Sequence, residues 1–466
     1  MVDCAILGGG ISGLTAAYYL KKAGHSVVIL ESSERLGGVI QSGEREGFLL
    51  EWGPNSTYAQ EAVTKLSSQL GIEAEIVFLA DRGKRKYLAS TRGAGVLELV
   101  AVPDSLLKFI LSPILSAPAK LRILGDLVSR RSSVDDESVE RFMTRHFGEE
   151  VTERVIDAVL SGVWATDISR LSIRSSLPKI WLAGTEHGSV IRGLFKQRGG
   201  GKRPAMLTFQ RGMGQLVEAL RATFDSGEIV LDAHVSGIRP DGEGVDLAGE
   251  TPGRDARKAR SVIVTAPAKE VSFLLRDQAE LSSHIRNVPY SPLGVLHLGY
   301  AKKQVTHSLD GFGFLCPPIL SRGLLGAVFS SSLVPSRAPE GFHLLTCFCG
   351  GARFPHRADV TDSGVLRDSL RDLAPLIGSS GEPRVLSATY YPEAIPSYPV
   401  GHQSLVNKVR QFEQQHPQIK LLGNWLEGIS VAERIKNARE SAERISQFLQ
   451  RRGSSLKSTP PDNTPG

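Results

Sequence analysis

Cysteine is scarce in this chain. Its 466 residues hold four, at Cys4, Cys316, Cys347 and Cys349. Cys347 and Cys349 form a C-x-C with no second pair, which is too few thiols for a zinc site or a disulfide framework. Buried free thiols in a reducing compartment are expected, and no metal. Aromatic residues make up only 6% and do not interleave with basic ones, so no base-stacking platform and no nucleic-acid partner are expected. No apolar run reaches the roughly 18–20 residues that a membrane span needs. Charge of one sign is lacking too: 55 Lys and Arg against 49 Asp and Glu give a net +6, a mild excess that suits anionic partners. No G-x-S-x-G, H-E-x-x-H or P-loop occurs, which removes the common hydrolase, zinc-protease and nucleotide-hydrolase readings. A leader is not expected before a strand that starts at Val2, so cytoplasmic residence is expected.

Glycine, in contrast, is placed with purpose. Asp3 to Leu7 reads as a buried strand, and Gly8, Gly10 and Gly13 then fill the positions of G-x-G-x-x-G. Gly8 permits the tight turn, Gly10 lets the backbone approach a pyrophosphate, and Gly13 lets the helix pack close to the sheet. The helix from Ile11 to about Ala23, with Gly9, Ile11 and Ser12 in its entry turn, directs its free N–H groups at that pyrophosphate. Ser26 to Leu30 is the second parallel strand, and Glu31 at its end accepts from ribose hydroxyls. A carboxylate there repels a 2′-phosphate, so FAD or NAD is favoured over NADP.

Later segments favour FAD. Ser32 and the pair Gly37-Gly38, just past Glu31, resemble the extended FAD fingerprint of amine-oxidase-like flavoproteins. By the same resemblance, Gly53-Pro54-Asn55-Ser56 approaches the flavin and Val235 contacts the cofactor. Gly428-Ile429-Ser430-Val431 begins a last FAD segment, whose helix from about Val431 to Gln450 points its N-terminus at the flavin ring. No second G-x-G-x-x-G unit lies between a strand and a helix, so no nicotinamide site is indicated.

The fold class expected is α/β: a discontinuous, Rossmann-like FAD-binding domain with a mixed-sheet substrate domain and a helical insertion. At this length two or three domains are expected. The FAD-binding parts are residues 1–79, 206–280 and 405–450. The substrate domain takes 80–103, 176–205 and 281–404. Residues 104–175 form the helical insertion, with helices over Leu121–Arg131 and Val139–Phe147. Its apolar Leu106, Leu107, Phe109 and Ile110, near Lys108, Lys120, Arg122, Arg130 and Arg131, suit either a buried subdomain or contact with a membrane surface. Arg192 to Pro204 reads as a mobile loop, and 451–466 as a disordered tail.

The chain resembles one family over nearly its whole length, the oxygen-dependent protoporphyrinogen and coproporphyrinogen III oxidases. Besides the FAD segments, the resemblance rests on Ser161-Gly162-Val163-Trp164-Ala165, Leu171-Ser172-Ile173-Arg174-Ser175, Gly311-Phe312-Gly313-Phe314-Leu315, Ile395-Pro396-Ser397-Tyr398 and Gly401-His402. It implies FAD as cofactor and a porphyrinogen as substrate, oxidised in three two-electron rounds with oxygen as acceptor. It also brings in the membrane surface, ferrochelatase-type neighbours and a homodimer as partners.

A porphyrinogen is a broad apolar macrocycle with carboxylate arms, and needs an apolar slot with a cation at its rim. Phe312, Leu315, Ile395, Gly162 and Val159 match the family's substrate-contacting positions, and Asn55 lies where substrate meets flavin. Arg85 matches the substrate arginine. Strand alternation puts Arg85 and Tyr87 on one face, pointing inward, with Lys84 and Lys86 on the other. No residue stands out as a general base. The last FAD segment departs from the family: Ala432-Glu433 replaces a polar Asn-Asp pair, and a capping box from Ser430 to Glu433 is expected instead. Two other readings stay open, a different amine-oxidase-like FAD oxidoreductase and a non-catalytic porphyrin-binding flavoprotein.

Overall fold

The computed structural model describes residues 1–79, 83, 85–92, 96–103, 115–129, 135–197, 205–250, 258–320 and 323–457. Two sheets organise them. The first runs in the order Ile229–Val230, Val27–Leu30, Val2–Leu7, Lys258–Val264, Val245–Glu250, His234–Pro240, and Ile419–Leu421 pairs with the far end of Lys258–Val264. The strands around Val2–Leu7 are parallel, and the last two of the series are antiparallel.

Side-chain alternation along these short apolar strands splits the core into two layers. Cys4, Ile6, Val27, Ile29 and Ile263 face helices Ile11–Lys22 and Val431–Lys457, meeting Leu14, Leu20, Ile435 and Ile445. Ala5, Leu7, Val28, Leu30, Val262 and Val264 face the other way, onto Val271, Leu405, Phe412 and Trp425.

The second sheet runs Arg384–Pro396, Tyr290–Ala301, Phe342–Gly350, Leu324–Val328, Gly313–Leu315, Tyr87–Arg92, Val96–Ala101. It is antiparallel except where Gly313–Leu315 meets Tyr87–Arg92. Helices Asp157–Trp164, Val139–Phe147 and Pro178–His187 share one core, and the first of them packs against Gly313–Leu315 and Leu324–Val328 of this sheet. The expected α/β class, with mixed sheets and a helical insertion, is what the structure shows. All four cysteines are buried.

Several local expectations are corrected. The helix placed over Leu121–Arg131 is Ala117–Gly125, followed by a 3-10 turn Asp126–Val128. Pro118 sits in the first turn, where its missing N–H costs nothing and Ser116 supplies the cap. The loop expected from Arg192 begins as the helix Val190–Gln197. Ser189 caps that helix, its Oγ accepting from Arg192 N at 3.0 Å, and buried Asp126 braces the start: its carboxylate accepts from Val190 N at 3.4 Å and Ile191 N at 2.9 Å, and bonds Ser189 and His146. The last helix continues to Lys457, through the start of the predicted tail. Residues 104–114, 130–134, 198–204 and 458–466 lie outside the described residues, so Leu106, Leu107, Lys108, Phe109, Ile110, Arg130 and Arg131 receive no structural account.

Candidate active site

Strand register locates the site. Leu7 stands opposite Leu30 and Val264, and Val264 opposite Leu421. Gly8, Glu31, Thr265 and Leu422 therefore leave the sheet along one edge, the carboxyl ends beyond which open α/β sheets bind ligands. Gly8 turns with φ +109°, and a Cβ on Gly13 would stand 1.9 Å from the Gly8 carbonyl oxygen. Only glycine at position 13 allows the helix to begin this close. Thr265 Oγ1 donates to this turn, 3.1 Å from Leu7 O and 3.0 Å from Gly8 O. Gly10 caps the helix without a side chain, so the first-turn N–H groups of Ile11, Ser12 and Gly13 point into the crevice. A Cβ on Gly10 would find only Gly38 Cα, at 4.0 Å. Gly37 N–H donates to Gly9 O at 2.9 Å, so the second glycine pair lies on the first.

Glu31 is already aimed. Its carboxylate accepts from Gly9 N at 2.6 Å and from Ser33 N and Oγ at 2.9 and 2.7 Å. Exposed Ser32 follows it. Glu31 O accepts from Ala233 N at 2.9 Å, which brings the strand carrying Val235 to the same edge.

Gly53, Pro54, Asn55 and Ser56 are partly buried, and a Cβ on Gly53 would lie 2.0 Å from Val39 O. Asn55 Oδ1 and Thr57 Oγ1 are buried with no hydrogen-bond partner among the described residues. Buried polar atoms are nearly always satisfied, so this pair calls for a ligand with a polar edge. The last segment turns at Gly428, with φ +70°. Ser430 Oγ accepts from Glu433 N at 3.3 Å, and Ser430 N donates to Glu433 Oε2 at 3.3 Å. This is the reciprocal capping box expected there. Ile429 and Val431 flank it, partly and fully buried.

Two resemblance motifs brace that segment, a role the sequence did not disclose. Tyr398 Oη donates to Asn424 O at 2.5 Å, His402 Nε2 lies 2.9 Å from Leu426 O, and the two rings stack at 4.3 Å. Sequence reasoning also missed Arg337 and His297. Arg337 forms a buried ion pair with Glu51 at 2.7 Å. His297, fully buried, bonds Glu51 O at 2.9 Å through Nε2, and burial pulls its pKa down to about 4. Their partners lie 246 and 286 residues away in the chain, beyond any spacing rule.

Among the residues assigned to substrate, Gly162 meets Leu315 and Arg85 meets Phe312. Val159 and Val163 are 43% and 50% exposed, one turn apart on helix Asp157–Trp164. Gly162, between them, meets Leu315: a Cβ there would lie 2.3 Å from Leu315 Cδ2. The close approach at Gly162 is thus made by Leu315. Phe312 packs beside Leu79, Leu333 and Val334, and Ile395 is partly buried opposite Ser291. Arg353 secures the helix with a fork, Nη1 to Asp157 at 2.5 Å and Nη2 to Asp167 at 2.9 Å.

Arg85 differs from expectation. Its side chain is 62% exposed and pairs with Asp310, so it does not point inward. It does share a side with Tyr87, whose Oη donates to the same carboxylate at 2.5 Å. Hydrogen bonds from Ser308 and Tyr87, with Arg85 nearby, hold the Asp310 pKa at about 2. Phe312 N donates to Arg85 O at 2.8 Å, which joins the arginine to the Phe312 segment. Lys86 is exposed, and Lys84 lies outside the described residues.

Residues 11–446 match the family described as flavin containing amine oxidoreductase. The chain belongs to that family. This flavoenzyme, an FAD-dependent oxidoreductase, is 31% identical over 483 residues to the chloroplastic protoporphyrinogen oxidase 1 of Spinacia oleracea, covering 96% of this chain and 85% of that one. It is 27% identical over 464 residues to the coproporphyrinogen III oxidase of Bacillus subtilis (strain 168), covering 95% and 98%. Its fold is similar to the crystal structure of a provisionally assigned protoporphyrinogen oxidase from Exiguobacterium sp. 255-15, with a TM-score of 0.78 and 24% identity over 96% and 99% of the two chains. The glycine cradle, the aimed carboxylate and the orphaned acceptors of the flavoenzyme all fit FAD.

Proposed function

We propose that this flavoenzyme oxidises a porphyrinogen, protoporphyrinogen IX or coproporphyrinogen III, to the porphyrin, with oxygen as acceptor, in a late step of heme biosynthesis. The observation that carries the reading is similarity across 95–96% of the chain to relatives named for each of those two activities. Gly8 to Gly13 would hold the pyrophosphate of FAD and Glu31 its ribose, with Ser32, Gly37, Gly38 and Val235 alongside. Gly53 to Ser56 and Gly428 to Val431 would flank the ring. Bound FAD supplies the two-electron oxidation.

The protein's part is orientation in a dry, apolar slot. Val159, Leu315, Phe312 and Ile395 offer apolar surface for the macrocycle, and Arg85 offers a guanidinium to a carboxylate arm. For Arg85 to do so, its fork must leave Asp310 or share it. No side chain is assigned as proton acceptor.

Purified protein is expected to be yellow and to turn a non-fluorescent porphyrinogen fluorescent while oxygen is consumed. A yellow protein that turns over neither porphyrinogen would overturn this reading and favour a carrier.

The same reading includes cytoplasmic residence with the protein resting on a membrane surface, where a ferrochelatase-type enzyme or a second copy would meet it. Exposed apolar residues on the helical insertion support the membrane contact: Leu121, Leu124, Leu127 and Val128, beside Lys120 and Arg122. No helix among the described residues is long and apolar enough to cross a membrane.

A further inference from the structure

Glu51, Trp52 and Asn55 are tied to the second sheet and its connections from several directions. Arg337, in the 3-10 turn Pro335–Arg337, sends Nη2 to Glu51 Oε1 at 2.7 Å, Thr208 Oγ1 at 2.9 Å and Asn55 O at 3.3 Å. Glu51 Oε1 also accepts from Met213 N at 2.9 Å, and Oε2 from Ser42 Oγ at 2.5 Å. His297 donates to Glu51 O at 2.9 Å. Trp52 Nε1 donates to Ser387 Oγ at 3.0 Å, and Tyr391 Oη to Trp52 O at 2.9 Å. Only Gly53 and Pro54 lie between these anchors.

A buried ion pair is rarely more stabilising than apolar side chains of the same volume. Stability alone does not call for Glu51 and Arg337, both almost wholly buried. A fixed geometry does: a single guanidinium nitrogen, Arg337 Nη2, is placed within reach of Glu51, Thr208 and the Asn55 carbonyl at once, and its charge strengthens each bond. We propose that Arg337 and Glu51 form a clasp that sets the Gly53–Ser56 segment against the flavin, with Arg337, outside every cofactor segment, acting as a positioning residue. The inference rests on the reading of Gly53–Ser56 as the flavin-side segment.

Four variants of the holoprotein test it: Arg337→Met, Glu51→Gln, the two combined, and Arg337→Lys. Each single neutral variant leaves one buried charge unpaired and is expected to lower the melting temperature. The double variant is expected to regain most of that loss, since no charge is left alone. FAD binding is expected to stay weakened by about tenfold or more in all of them, with a shifted visible flavin spectrum and midpoint potential, because misplacement of a site by about 1 Å has effects of this size or larger. With substrate, kcat is expected to fall while KM moves little.

If the double variant recovers wild-type flavin affinity and spectrum together with its melting temperature, the pair is merely structural and the proposal fails. Should the neutral variants not fold, Arg337→Lys decides: it keeps the charge but replaces the planar guanidinium, whose Nη2 reaches Glu51, Thr208 and Asn55 O, with a flexible ammonium, and wild-type flavin binding and spectrum there would overturn the clasp. FAD affinity and spectrum are read without substrate, so the test stands even if the porphyrinogen assignment falls.

Discussion

At the scale of residues, the contacts that matter are decided by one atom or one proton. A β-carbon at Gly13 would collide with Gly8 O, so a backbone requirement is written directly in the sequence as glycine. A proton at His297 has no such sign. Its unfolded value near 6.5 drops to about 4 in the fold because burial penalises the charged ring. Between those values the unfolded chain binds a proton that the folded chain refuses. The stability tied to this group is therefore complete above pH 6.5 and is lost as the pH falls toward 4, by at most about 1.4 kcal/mol per pH unit. His297→Gln, which keeps an N–H for Glu51 O, is expected to flatten the pH dependence of thermal melting in that window. A slope equal to wild type would argue against a buried neutral imidazole. Arg85→Ala is expected to raise KM several-fold and to lower kcat less, since a rim contact binds ground state and transition state alike. Steady-state kinetics with an unchanged KM would remove Arg85 from the site.

At the scale of elements, ends were harder to foresee than interiors. The 3.6-residue period of Val139–Phe147 was legible to the residue, as was the capping box that starts Val431–Lys457. Replacing Ser430 by Ala is expected to cost about 0.5–2 kcal/mol, seen as faster hydrogen exchange over residues 431–434. Unaltered exchange would mean that packing, not the cap, holds the helix start. The start of Val190–Gln197 has a local cap, Ser189 Oγ accepting from Arg192 N at 3.0 Å, but its second support, Asp126, about sixty residues earlier in the chain, was not legible. The turn at Asn424–Leu426 is in the same position, held by Tyr398 and His402. Local rules see a cap only when it is local.

At the scale of the molecule, the helical insertion presents Leu121 and Val128, 71% and 82% exposed. Full-length protein is expected to co-sediment with anionic liposomes, and Leu121→Glu with Val128→Glu to weaken that binding at unchanged turnover. Protein that stays in the supernatant would leave the patch without a membrane role.

The sequence by itself determined the cofactor class, because the signals that point to FAD, glycine spacing, a strand-end carboxylate and a helix start, are all local in the chain. It also reached the α/β class through strand and helix periodicity. Only the tertiary structure decided which side chains meet across the chain. Arg337 with Glu51, Arg353 with Asp157 and Asp167, and Arg85 with Asp310 join residues 186 to 286 positions apart. That is why Arg85 pairs with a carboxylate at the surface while Arg337, which carried no signal, is the arginine buried beside the Gly53–Ser56 segment. Charge pairing depends on which segments the two sheets bring together, and no pattern of neighbours in sequence encodes it.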